Sequence, residues 1–249
     1  MSPREHCEST AVAPGSARYY TLVNATPAVR AALPVVFALA DEVRQLAALS
    51  AQPNEVRQAK LGWWMEEAKR LADAQPRHPV SRAVLECNLP VERVLGVLQS
   101  AMACALSEHL PETTALTNFC IETGGQLGEM AAGLCAPNGN DVNSAAADLG
   151  AGAQLFDFAT ESGHLPITAQ AAFQQADRLL EKGDRGVAAP DRYRLLPLLT
   201  LSALHRYSLR RLLNGRTTAG ITPPAWAPLR SFWITWTLER RERKRPRAR

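Results

Sequence analysis

Cysteine is scarce in this 249-residue chain, and the few cysteines present form neither a metal-binding nor a disulfide pattern. The chain has five cysteines, with no Cys-x-x-Cys pair and none at a metal-site spacing from a histidine. An odd and scattered set argues against a disulfide framework and favours a reducing compartment. The N-terminal stretch MSPREHCESTAVAPGS lacks the apolar core of a secretory signal. We therefore expect a cytoplasmic protein.

Long hydrophobic runs and a large charge of one sign are also missing. No stretch approaches the ~20 apolar residues that a membrane-spanning helix needs. The net charge is only +4, although the last twenty residues are strongly basic. The basic residues there are Arg230, Arg240, Arg241, Arg243, Lys244, Arg245, Arg247 and Arg249. The rest of the chain is close to neutral, which gives nucleic-acid binding no electrostatic support.

Alternation typical of β-strands is nearly absent, whereas apolar residues recur three and four positions apart along most of the chain. Two examples are VRAALPVVFALADEVRQLAAL (29–49) and NEVRQAKLGWWMEEAKRLADA (54–74). The pattern predicts an all-α protein of eight or nine helices, packed as a single antiparallel bundle. We expect a disordered tail over 1–15, a helical domain over 16–239 and a basic tail over 240–249.

Two local features carry further predictions. Gly124, Gly125 and Gly128 lie inside one apolar helical run, where each costs up to about 1 kcal/mol relative to alanine. Three together indicate either a close approach of two helices or a kink. The Trp63–Trp64 pair is interpreted as structural, because adjacent helical side chains point about 100° apart and can enter different parts of the packing.

Several segments, in order over residues 16–214, resemble the squalene/phytoene synthase family. The most distinctive is KLGWWMEEAKRL (60–71), followed by RHPVSRAVL (77–85). The other segments are GSARYYTLVNATPAVRAALPVVFALADEV, ETTALTNFCIETGGQLGEMAAGL, LGAGAQLFDFATESGHLP and RYRLLPLLTLSALHRYSLRRL. The resemblance implies the isoprenoid synthase fold, which is a helical bundle around an apolar cavity.

Active members of that family condense two prenyl diphosphates head to head, with Mg²⁺ held by two Asp-rich motifs. The cation neutralises the diphosphate leaving group. Carried over by resemblance, the catalytic and metal-binding candidates are Asp41, Asp157 and Glu161. The candidate substrate-binding residues are Arg18, Tyr19, Tyr20, Phe37 and Gln154.

Both Asp-rich motifs are eroded in this sequence. Gln45 stands four residues after Asp41, where the family has a second aspartate, and a glutamine offers no charge to a metal. Asp157 stands where the family has asparagine, and Thr160 replaces a diphosphate-binding arginine. These departures weaken the expectation of bound Mg²⁺.

The leading hypothesis is a catalytically degenerate family member. Its role is either to bind an isoprenoid or another apolar small molecule, or to act as an assembly-type helper of a protein partner. The alternative is an active prenyltransferase with a reduced Mg²⁺ site. A third hypothesis is a helical interaction protein without a cavity. The C-terminal aromatic and basic residues are also compatible with contact to a membrane surface, because aromatic rings beside cations suit an anionic interface. Those aromatic residues are Trp226, Phe232, Trp233 and Trp236.

Overall fold

The computed structural model describes residues 1–106, 113–137, 142–161, 169–215 and 227–245, except for the side chains of residues 161, 169 and 227. In these ranges every regular element is helical, as predicted. The helices are α1 (Pro3–Ala11), α2 (Ala17–Val23), α3 (Pro27–Ala47), α4 (Asn54–Ala72), α5 (Pro79–Glu86), α6 (Val91–Leu106), α7 (Thr113–Cys135), α8 (Asn143–Glu161), α9 (Ala169–Gly186), α10 (Leu196–Leu213) and α11 (Ala227–Arg243).

Helices α7 and α8 form the centre of the bundle and pack against each other along much of their length. Helix α9 covers a second side of α8, while α3 packs on α7 and α10 packs on α8 and α9. The interior is dominated by leucine side chains that are almost completely buried. They include Leu33, Leu46, Leu98, Leu116, Leu149, Leu155, Leu180 and Leu199. The apolar stripes of the sequence therefore define one continuous core.

Glycines allow the backbones of α7 and α8 to approach closely. A β-carbon added at Gly150 would lie 2.7 Å from Gly128 Cα and closer still to the carbonyl oxygen of Gly124. One added at Gly128 would lie 3.0 Å from Gly150 Cα. Real side chains essentially never make contacts this short with backbone atoms. Of the two interpretations of the glycine cluster, close helix approach is therefore the one that the structure supports.

The N-terminal residues form a helix, so the prediction of a disordered tail over 1–15 is wrong. Ser2 and Glu5 form a reciprocal capping box at the start of α1. Cys7 is fully buried, and α1 packs on α3 and α5. The polar composition of this segment hides a short apolar face made by Cys7, Ala11 and Val12, which are all buried.

The C-terminal basic segment also differs from the predicted boundary at residue 240, because α11 continues to Arg243. Glu242 is 3% exposed and pairs with Arg192, with 3.0 Å between its Oε2 and the Nε of Arg192. This buried pair holds the end of α11 against the loop that precedes α10. No helix in the described ranges is both long and apolar enough to cross a membrane.

The two tryptophans separate as their helical positions predict. Trp64 is 9% exposed and belongs to the core, whereas Trp63 is 44% exposed and meets Trp64 edge to face. The nearby Glu67 belongs to a residue type that is almost never fully buried unless it has a partner. That side chain is fully buried and accepts hydrogen bonds from the backbone N–H groups of Arg77 and His78 at 2.9 and 2.7 Å.

We expect Gly150→Ala to lower the free energy of unfolding by about 1–3 kcal/mol or more, because the new methyl group would force α7 and α8 apart. The matched control is Gly133→Ala on α7, where an added β-carbon meets nothing within 4 Å. That control should gain up to about 1 kcal/mol from helix propensity. Urea unfolding measures both. Equal effects of the two substitutions would contradict the close-packing account.

Candidate active-site cleft

Helices α2, α3 and α8 bring one arginine and two aspartates together. Ser16 caps α2 by accepting a hydrogen bond from the N–H of Tyr19, which places Arg18 in the first turn. Asp41 lies in the second half of α3, and Asp157 lies near the C-terminal end of α8. Because both carboxylates stand on otherwise apolar helix faces, they need partners to offset the cost of burial.

Arg18 supplies that partner to both carboxylates at once. Its Nη1 lies 2.8 Å from Oδ2 of Asp41, and its Nη2 lies 2.7 Å from Oδ2 of Asp157. Arg44 adds a second cation, with its Nη2 3.2 Å from Oδ1 of Asp41. The guanidinium of Arg18 also lies over the ring of Phe37, 5.3 Å from the centroid. The group of two arginines and two aspartates is therefore charge-balanced and bridges α3 and α8.

The electrostatics of the cleft favour an ionised Asp157 and a neutral His205. Burial alone would raise the pKa of Asp157, but Arg18, helped by His205 and Arg44, outweighs burial and holds that pKa below its usual value. Burial lowers the pKa of His205 to about 4, against the opposing effect of Asp157. His205 Nε2 lies 3.9 Å from Asp157 Oδ1, and its ring stacks on Phe156 with centroids 4.4 Å apart.

These side chains line a cleft of about 460 Å³. Its walls combine the charged group with a histidine, an aromatic ring and small hydroxyl residues. The principal lining residues are Arg18, Asp41, Arg44, Phe156, Asp157, Thr160, His205 and Ser208. Among the described lining residues the charges of the two arginines are balanced by those of the two aspartates, so the cleft is polar but carries no net charge from these four side chains.

Gln154 lies one turn before Asp157 on α8 and is 5% exposed. Its side-chain oxygen lies 3.2 Å from Oγ1 of Thr123, which itself donates to the carbonyl of Phe119 at 2.8 Å. The amide nitrogen Nε2 has no hydrogen-bond partner in the described part of the chain. A buried donor of this kind is costly unless something accepts its hydrogen bond.

The candidate residues divide into two groups in the structure. Arg18, Asp41 and Asp157 line the cleft, Phe37 lies beneath the guanidinium of Arg18, and Gln154 lies buried one turn before Asp157 on α8. Elsewhere, the hydroxyl of Tyr20 donates to the carbonyl of Pro228 at 3.0 Å and so joins α2 to α11.

Tyr19 is 44% exposed. Glu161 is the last residue of α8, and its side chain, like all of His164, lies outside the described residues. Gln45 lines a different cavity, together with Trp63 and His78. Of the described residues, neither Tyr19 nor Gln45 lines the cleft that holds the two aspartates.

His205 is the site residue that sequence reasoning missed. It lies on α10, in the apolar stretch LLPLLTLSALH, and is 4% exposed. A histidine within such a stretch is a signal, because a buried imidazole needs a polar neighbour. Which neighbour it meets depends on how α10 packs on α8, and the local sequence does not reveal that.

The described residues do not fit a cluster of Mg²⁺ ions. They contain no group of three or more histidine, cysteine, aspartate or glutamate side chains that could hold a metal. The two carboxylates that face each other are both bound to Arg18, at 2.8 and 2.7 Å. A guanidinium thus stands between the carboxylates that the family resemblance assigns to metal.

The chain belongs to the squalene/phytoene synthase family, since the family's sequence model matches residues 12–164. Its fold is similar to that of a dehydrosqualene synthase whose crystal structure was determined in complex with ligand. That match has a TM-score of 0.73 and 14% identity, and covers 97% of this chain and 96% of the other.

A second similar structure is the squalene synthase HpnC from Alicyclobacillus acidocaldarius. Its TM-score is 0.48 at 16% identity, with coverage of 98% of this chain and 95% of the other. No curated protein sequence gives a significant match. The family match and the dehydrosqualene synthase fold confirm the predicted family and the all-α isoprenoid synthase architecture.

We expect Arg18→Met to lower the free energy of unfolding by about 3 kcal/mol at pH 7, because it leaves two partly buried carboxylates without their shared cation. The loss should shrink below about pH 4, where protonation removes the unpaired charges. Arg82→Met, at an exposed position on α5, is the control and should change stability by less than about 0.5 kcal/mol. Equal stability of the Arg18 variant and wild type would contradict a stabilising bridge.

We expect the protein to lose stability as the pH falls from about 7 to 4. The pKa of His205 is about 4 in the folded protein against an ordinary 6.5, so the unfolded chain binds a proton first. The contribution of neutral His205 to the free energy of unfolding is complete above pH 6.5 and is lost as the pH falls from there to about 4. The loss is at most about 3 kcal/mol. Urea unfolding of wild type and His205→Phe measures it, and identical pH profiles would contradict this account.

Proposed function

We propose that this family member binds an isoprenoid or similar apolar ligand without ionising a diphosphate, and acts as a lipid-binding or assembly-type helper. The observation that carries the proposal is the position of Arg18 between Asp41 and Asp157. The arginine provides, within the fold, the positive charge that the family's mechanism takes from metal ions.

The chemistry of prenyl transfer explains why this position matters. Departure of a diphosphate requires several fixed cations beside its oxygens, and Mg²⁺ held by carboxylates supplies them. Here a metal would have to displace Arg18 from two charge-assisted hydrogen bonds of 2.8 and 2.7 Å. Gln45 would offer it only a neutral oxygen. The arrangement therefore favours a permanent ion-pair bridge over a metal cluster.

Binding of an apolar ligand is supported by the aromatic interior next to the cleft. Phe119 and Phe158 meet edge to face with centroids 5.9 Å apart, and both are almost completely buried. Phe156 and the buried amide of Gln154 lie on the same helix as Phe158. In this proposal the isoprenoid chain lies along Phe156, the aromatic ring that lines the cleft, and its polar end lies near Arg18 and Arg44.

A surface role is supported by the outer face of α11. Leu229, Phe232 and Trp233 are 74%, 54% and 56% exposed. Arg240 lies over the ring of Trp236, with its guanidinium carbon 4.5 Å from the centroid. Aromatic rings beside cations suit the head-group region of an anionic membrane, and a protein partner could use the same face. We propose a cytoplasmic protein that meets a membrane surface or a protein partner there.

An active prenyltransferase is the second candidate function. It is favoured by one feature, which is that Asp41 and Asp157 reach one cleft from opposite helices. In that case Arg18 would release the carboxylates to Mg²⁺ and bind the substrate diphosphate instead. The reaction would be the head-to-head condensation of two prenyl diphosphates that active family members perform.

Calorimetric titration with a farnesyl diphosphate thio-analogue separates the two functions. For the leading proposal we expect binding that persists after chelation of Mg²⁺ and survives Asp157→Asn. Binding that disappears on chelation and in Asp157→Asn would contradict that proposal and support the enzyme. Absence of binding under both conditions would favour a helical interaction protein. Gly133→Ala serves as the folded control variant.

A further inference from the structure

A second groove lies between α10 and α11, on a different side of α10 from the aspartate cleft. Its volume is about 440 Å³. His205 and Ser208 of α10 line the cleft, whereas Ser202, Arg206 and Arg210 line the groove. The spacing of four residues places these three side chains on one side of α10. The proposed function does not involve this groove.

The groove has an apolar floor and a strongly basic rim. The floor is formed by Leu199, Ala203, Ile234 and Leu238. Arginines from both helices form the rim, namely Arg206, Arg210, Arg230 and Arg241. The positive charges of these four arginines repel one another unless anions lie near them.

Two of these arginines already have acidic partners inside the protein. Arg206 Nε lies 3.0 Å from Oδ1 of Asp177, and Arg241 Nη2 lies 2.9 Å from Oε1 of Glu242. Among the described residues that line the groove the carboxylate is that of Asp184, whose Oδ1 lies 2.7 Å from Nη2 of Arg192. The acidic side chains near the groove are therefore committed to other cations.

Arg210 and Arg230 pair with no carboxylate of the described residues. Both are exposed, and Arg230 lies over the ring of Tyr207 with 5.3 Å to its centroid. Stacking on an aromatic ring orients a guanidinium while leaving its N–H donors free for an anion. The groove thus carries two positive charges that the described part of the protein does not neutralise.

Ser202 provides an independent observation in the groove. The residue is 2% exposed, and its Oγ has no hydrogen-bond partner in the described part of the chain. A buried hydroxyl without a partner is unfavourable, and alanine would fit the same helical position. A hydroxyl that lines a basic groove and has no internal partner suits an external acceptor.

We propose that this groove binds the phosphate group of a phosphate ester or diphosphate. Arg210 and Arg230 contact the phosphate oxygens from opposite sides, and Ser202 donates its hydroxyl at the base. Arginine suits phosphate because its planar donors match two oxygens at once. The apolar floor accepts carbon atoms of the same ligand. The phosphate belongs either to a soluble ligand or to a lipid head group.

Two binding measurements test the proposal and distinguish the sources. Calorimetry with inorganic diphosphate reports a soluble ligand. Co-sedimentation with vesicles of pure phosphatidylglycerol or pure phosphatidylcholine reports a lipid head group. We expect Arg210→Gln/Arg230→Gln to weaken binding in the responding assay at least about tenfold, and Ser202→Ala about fivefold. The thermal unfolding midpoint of Ser202→Ala should equal or exceed that of wild type, because no internal hydrogen bond is lost and an unpartnered buried hydroxyl is removed.

The control variant is Arg82→Gln/Arg194→Gln, which removes the same charge at exposed positions outside the groove. Its binding should equal that of wild type. The proposal is overturned if neither assay shows binding, or if the control loses as much as the groove variant. It is also overturned if Ser202→Ala binds as wild type does, or if only Arg18→Met abolishes binding. That last result would assign the anion to the aspartate cleft and leave the proposed function standing.

Discussion

The contact between the backbones of α7 and α8 is the constraint on which the rest of the molecule depends. Gly128 and Gly150 let the two helices approach until no side chain fits between them. Helix α9 approaches α8 in a similar way at Gly152 and Gly183, which pack on Leu180 and Leu149. With two neighbours this close, α8 has little freedom to rotate. Its remaining face, carrying Gln154 and Asp157, is therefore held toward α2, α3 and α10.

Once α8 is fixed, the two aspartates must be neutralised, and the fold does this with arginine. In a family whose chemistry uses carboxylates to hold Mg²⁺, Arg18 occupies the space between Asp41 and Asp157 and keeps Asp157 ionised. The same bridge ties α2 to α3 and α8. The same two carboxylates serve either a metal site for catalysis or a structural ion pair with Arg18. Whether they bind Mg²⁺ or the arginine distinguishes the two proposed functions.

Helix α11 and its neighbours show how the protein distributes the positive charge that the sequence concentrates at its end. Glu242 is buried and holds Arg192, so part of the basic segment is structural. Arg240 stacks on Trp236 at the outer face, while Arg230 stacks on Tyr207 and faces the groove. Helix α11 therefore presents arginine both on its outer face and in the groove.

The sequence by itself indicated the all-α class, most of the helices and the family, because helical periodicity and the segment KLGWWMEEAKRL are local properties. It also indicated close helix packing at the glycines. It misjudged the N-terminal fifteen residues, since burial there depends on distant elements. Only the tertiary structure decided that Arg18 bridges the aspartates, that His205 faces Asp157 and that Ser202 lines a basic groove. Arg18 and Asp157 are 139 positions apart, and no local pattern specifies which side chains meet across a bundle.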